Sequence, residues 1–144
     1  MSWNVALFIE GASSLEALAA EVSALSRITL ERVNEYDGET YYQYSEHDFT
    51  LTLGDDHDLV NDRDLNFEDY TYQICLWRNN TADTEQAEAN TLTFAKSLFA
   101  RFKETGRYRL MLVEDTKRSW THHSADASAF WPSFYDDWRN QISE

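Results

Sequence analysis

Seven carboxylates crowd 15 consecutive positions of this chain: Asp55, Asp56, Asp58, Asp62, Asp64, Glu68 and Asp69. A calcium loop would place oxygen ligands at alternate positions, with a glycine at the sixth and a closing glutamate. Asp56, Asp58 and Asp62 break that spacing, and the glycine is missing. A transition-metal site would need a histidine pair at ligand spacing, and His57 and His47 do not supply one. General acid–base chemistry would need an apolar surround that raises the pKa of one carboxylate, and the segment has none. Two readings remain, a solvated loop or a surface that meets a cationic protein. Elsewhere His122-His123 stands beside Ser124, but no nucleophile elbow surrounds the serine, and adjacent histidines are not a metal spacing. The expectation is a protein with no cofactor and no catalytic site.

The wider charge pattern favours the binding surface. From Glu10 to Asp69 there are 16 acids and three bases (Arg27, Arg32, Arg63), whereas from Tyr70 to Arg118 six acids face eight bases. Of the formal net charge of −14, nearly all belongs to the first of these stretches. Like charges crowded together repel, so even spacing would serve solubility better. A negative region attracts a basic partner and disfavours nucleic acid and anionic membranes. Charge sets encounter rate and selectivity, while tight holding needs aromatic anchors. Tyrosines 36, 41, 42, 44, 70 and 72 lie in or beside the acidic region. In a strand, Tyr41 and Tyr42 must face opposite ways. Tyr42 and Tyr44 are taken with the seven acids as the candidate partner-binding set. The basic residues Arg101, Lys103, Arg107, Arg109, Lys117 and Arg118 alternate with Phe102, Glu104 and Tyr108, and read as the outer face of a helix end and a strand rather than a phosphate patch.

The elements that must position these residues follow from periodicity. Residues 3–9 alternate as a strand partly buried on both faces. Ser13-Ser14-Leu15-Glu16 reads as a capping box with Ser13 as the cap, ahead of a helix burying Leu15, Leu18, Ala19, Val22 and Leu25. Residues 28–36 and 40–46 read as strands joined by a two-residue turn at Asp37-Gly38. Residues 49–53 alternate cleanly, and Gly54 stops them. Residues 70–77 form another strand, holding Cys75, expected as a buried core thiol, and Trp77, expected in the core. Asn79-Asn80-Thr81 is a glycosylation sequon, read here as helix-start chemistry. Asp83 begins the longest helix, with Gln86 as capping partner, a core stripe of Ala87, Thr91, Phe94, Ala95, Leu98, Phe99 and Phe102, and a left-handed cap at Gly106. Residues 108–113 form the last strand. A closing helix opened by Phe130-Trp131-Pro132 places Trp131, Tyr135, Trp138 and Ile142 on one side, and docking of that helix accounts for its tryptophans better than sugar stacking does.

The resulting order, βαββββαβα, is an α+β two-layer sandwich: a mainly antiparallel sheet with helices on one face. With four glycines and one proline, nothing marks a second domain within residues 1–144. Lack of a basic-then-apolar leader, lack of an apolar run near ~20 residues and a single cysteine together point to a soluble cytoplasmic protein.

In general make-up, an acidic, compact α+β chain without a catalytic motif, the sequence resembles bacterial toxin-immunity proteins. The resemblance implies an inhibitor that blocks a basic toxin, often a nuclease, by covering its active or substrate-binding surface. It carries no family residue onto a position here. Two other classes stay open. A small enzyme with an unrecognised carboxylate–histidine site would show a concave pocket with facing titratable groups. An acidic adaptor or nucleic-acid mimic would show rows of carboxylates.

Overall fold

A computed structural model describes residues 4–36, 38–55 and 70–115. The strands are β1 (Asn4–Glu10), β2 (Glu31–Asn34), β3 (Thr40–Ser45), β4 (Phe49–Gly54), β5 (Tyr72–Arg78) and β6 (Arg109–Asp115); the helices are α1 (Leu15–Ser26) and α2 (Thr84–Thr105). The strands form one sheet in the order β2-β3-β4-β5-β1-β6, with every pairing antiparallel. The α+β class and the antiparallel sheet match the expectation from sequence. The expected closing helix lies outside the described residues.

Period-two alternation sends Val5, Leu7, Ile9, Leu51, Leu53, Ile74, Leu76, Leu110 and Leu112 to one face. There they meet Leu18 and Val22 of α1 and Ala95, Leu98, Phe99 and Phe102 of α2 in a single core. Each such side chain, fully buried, contributes about 1.5–3 kcal/mol. Leu15, Leu25 and Phe94 pack at its margin.

The opposite face changes character across the sheet. On β5, β1 and β6 it carries Cys75, Ala6, Phe8, Met111 and Val113, all buried. Cys75 is therefore the core thiol expected, with its Sγ donating weakly to Asn4 Oδ1 at 3.7 Å. On β3 and β4 the same face carries Tyr41, Gln43, Thr50 and Thr52, half-buried. Polar open-face positions dominate β3 and β4 and reach β5 at Gln73.

Five local expectations need correction. The cap of α1 is Ser14, whose hydroxyl accepts from the Ala17 N–H at 3.0 Å, one residue later than Ser13. Ser14 has extended backbone and Leu15 is the first helical residue, so Ser13 stands one position too early. The hairpin turn is three residues long, not two. Glu35 N–H bonds Glu39 C=O, Gly38 N–H bonds Glu35 C=O, and Gly38 closes the loop at φ +96°. A left-handed glycine at the third loop position is the usual way such a loop rejoins its strand. Trp77 is 40% exposed rather than in the core. It sits on the open face because Tyr72, Ile74 and Leu76 take the inward positions of β5.

Asp83 caps α2 as expected, accepting from Gln86 N–H at 3.0 Å, but the Gln86 amide donates to Asn90 instead of reaching back. Gly106 ends α2 in the left-handed region at φ +71°, donating to Lys103 C=O. The sequon asparagine does not start the helix. Asn79 accepts from Thr50 Oγ1 at 2.9 Å and donates to Glu46 C=O at 2.7 Å, tying the end of β5 to the β3–β4 turn.

Candidate acidic interaction surface

Antiparallel order decides which side chains share an end of the sheet. β1 and β4 finish, and β3 and β5 begin, at the same end. That end therefore collects Glu10, the hairpin tip with Glu35 and Glu39, and Asp55 directly after β4. Asp55 and Tyr70, the described residues that flank 56–69, both stand there. The acidic segment thus leaves and rejoins the fold at the end that already holds Glu35, Glu39 and Asp55. Of the candidate acids, Asp55 is described and exposed; Asp56, Asp58, Asp62, Asp64, Glu68 and Asp69 lie outside the described residues. Trp3, Trp120, His122, His123, Trp131 and Trp138 do as well.

Charges divide across this end. Toward β6 stand Arg107 and Arg109. Arg107 forms an ion pair with Glu21, and Arg109 lies over the Tyr70 ring at 5.9 Å from its centroid. Glu10 neighbours Arg109 in register and accepts from Thr71 N–H at 2.7 Å. Toward β2, β3 and β4 stand Glu35, Glu39 and Asp55, all exposed. Neither Glu35 nor Asp55 forms an ion pair among the described residues. The field they create reaches inward. The Tyr72 hydroxyl is pushed above its ordinary pKa, first by burial and then by the Asp55 and Glu10 carboxylates.

Four acids at the opposite end are engaged in structure. Glu88 pairs with Arg78 at 3.0 Å, Asp48 accepts from Asn90, Asp83 caps α2, and Glu46 accepts from Tyr44 Oη at 2.8 Å. The basic residues of α2 have structural partners too, since Arg101 donates to Leu25 C=O.

The candidate tyrosines fall on the helix side. Tyr42 and Tyr44 are half-buried against the core, and the Tyr44 ring leans on Phe49 at 6.2 Å. Tyr44 is raised in pKa chiefly by its hydrogen bond to Glu46. Tyr41 is the ring on the open face. With Thr52, Gly54 and Gln73 it lines a groove of about 270 Å³, rimmed by Glu39 and Asp55. Tyr36, at the hairpin tip, is wholly exposed. Sequence reading took Gly54 as a strand stop and passed over Glu39, Tyr41 and Gln73 as groove residues. The signal was available: Phe49, Leu51 and Leu53 mark the inward face of β4, and a tight hairpin then sets Tyr42 and Tyr44 beside them and Tyr41 opposite.

Among the described residues, no histidine lines the groove. Among the described residues, no group of three histidine, cysteine or acidic side chains is placed to hold a metal ion, and no helix is long and apolar enough to cross a membrane. No family model, curated protein or solved structure matches this chain.

Proposed function

We propose that this protein binds and neutralises a basic protein, in the manner of a toxin-immunity protein, using the acidic corner formed by the β2–β3 hairpin and the end of β4. The observation that carries this reading is the gathering of Glu35, Glu39 and Asp55 at one corner, with both flanks of the acidic segment 56–69 at the same end. Glu46, Asp48, Asp83 and Glu88 at the opposite end serve a cap and internal bonds, whereas Glu35 and Asp55 at the corner are exposed and make no ion pair among the described residues. A cationic toxin surface would be steered to this corner, and exposed Tyr36 would supply an aromatic contact beside the charges. Asp55, together with Asp56, Asp58, Asp62, Asp64, Glu68 and Asp69, would pair with lysines and arginines that otherwise engage substrate phosphates.

Affinity capture from the source cell at low salt, followed by calorimetry with the purified partner, tests the reading. The expected partner has a pI above about 9, loses its activity at stoichiometric ratio, and binds at least tenfold more weakly at about 0.3 M than at about 0.05 M salt. A partner that is acidic, or whose affinity ignores salt, overturns it.

A further inference from the structure

The groove over Gly54 has features beyond negative charge. It crosses β3, β4 and β5 on the open face, at the line where that face passes from polar to buried apolar residues. Its floor exists because residue 54 lacks a side chain. A Cβ there would stand 3.9 Å from the Tyr41 Cβ, in ordinary contact, so any larger side chain would occupy the space. Tyr41 and Gln73 flank Gly54 in register on the neighbouring strands, and Thr52, Glu39 and Asp55 complete the polar lining. Among the described residues, no lysine or arginine lines it. At about 270 Å³ it falls just below the roughly 300–1,000 Å³ of drug-sized pockets, and so suits one side chain rather than a cofactor.

We infer that this groove is the seat of a single arginine side chain supplied by the basic partner. The inference rests on the proposed function and narrows it to a site. A guanidinium matches the lining in each respect. Its flat face stacks on tyrosine, its fork meets a carboxylate in two parallel hydrogen bonds, and its remaining donors find the Gln73 and Thr52 oxygens. Its three methylenes fit the apolar portion of the wall. A carboxylate or phosphate would instead meet the exposed Asp55 carboxylate.

The test needs no knowledge of the partner. N-acetyl-arginine amide, with N-acetyl-citrulline amide as its uncharged isostere, is titrated into the ¹⁵N-labelled protein. Arginine is expected to give saturable shifts confined to Tyr41, Thr52, Gly54, Asp55 and Gln73 at about 1–10 mM, with citrulline at least about tenfold weaker. Gly54→Val should abolish the shifts by filling the floor. Its backbone is not in a glycine-only conformation, so the fold should persist and the remaining spectrum should be unchanged. Asp55→Asn, at an exposed position, should weaken binding severalfold with no structural change. Scattered or unsaturable shifts, equal response to citrulline, or undiminished binding by Gly54→Val overturn the arginine seat. If the whole partner then still binds in a salt-dependent manner, the corner stands without the groove; if that dependence is missing too, both readings fall.

Discussion

Tyr108 shows how one side chain at the residue scale joins the two layers. Its ring meets Phe102 edge-on at 5.2 Å, and its hydroxyl donates to Glu21 Oε1 at 3.0 Å, while Arg107 pairs with the same carboxylate. Burial comes first, then the bond to Glu21, in pushing the hydroxyl above its ordinary pKa of 10.0; Arg107 opposes them. An acid whose folded pKa is raised holds its proton longer in the native state. Its stabilising effect is complete below pH 10 and disappears as pH climbs through the raised value. Urea midpoints measured from pH 8 to 11 should therefore fall steeply above pH 10, and Tyr108→Phe should flatten that alkaline limb while losing some stability at pH 8. An unchanged limb would remove Tyr108 as its source. Gly11 is the second residue with a sharp consequence. Its φ is +117°, and a Cβ would stand 3.1 Å from the Arg107 carbonyl oxygen. Gly11→Ala should cost roughly 1–3 kcal/mol through strain and that contact, read as a lower urea midpoint with an unchanged slope.

Elements, one level up, depend on their ends. Asp83 satisfies the Gln86 N–H, an amide that has no partner within the helix. Asp83→Ala should lower stability by about 1 kcal/mol, whereas Asp83→Ser should restore most of it. Differential scanning calorimetry of the two variants distinguishes capping from mere charge. Element existence was legible in the sequence wherever a strong period met a strong terminus. The alternation over residues 49–53 and the stripe from Ala87 to Phe102 read correctly because each buries one face only. Legibility failed by single residues where two neighbours had the same chemistry. Ser13 and Ser14 can both accept from a helix amide, and only backbone dihedrals decide between them. Asp37-Gly38 was read as a two-residue turn because spacing alone does not reveal the extra loop residue. Trp77 is large and apolar enough to suggest the core, but Tyr72, Ile74 and Leu76 take the inward face of β5 and alternation sends Trp77 to the other.

On the whole-molecule scale, the sequence announced an acidic half but not its geometry. Collecting Glu35, Glu39 and Asp55 at one corner requires β3 to lie between β2 and β4 and β4 beside β5, an order that periodicity leaves undetermined. The groove was hidden for the same reason, since Tyr41, Gly54 and Gln73 come from three strands. Concentrated charge has a cost in the unbound protein that can be measured. With net charge −14, self-repulsion favours the expanded chain, and salt relieves it. The screening length shrinks from roughly 30 Å at 0.01 M to 8 Å at 0.15 M ionic strength. The melting temperature should therefore rise over that range by several degrees, with most of the gain below about 0.1 M. Sodium and potassium chloride should act alike, because screening depends on ionic strength and not on a particular cation. If the corner is a main source of the repulsion, the double variant Glu39→Gln, Asp55→Asn should melt higher at low salt and respond less to added salt. Glu88→Gln should do the opposite at low salt, because it removes the ion pair with Arg78. A melting temperature indifferent to salt would mean that the charges are compensated within the fold, and a corner compensated from within would have little field left for steering a cationic partner.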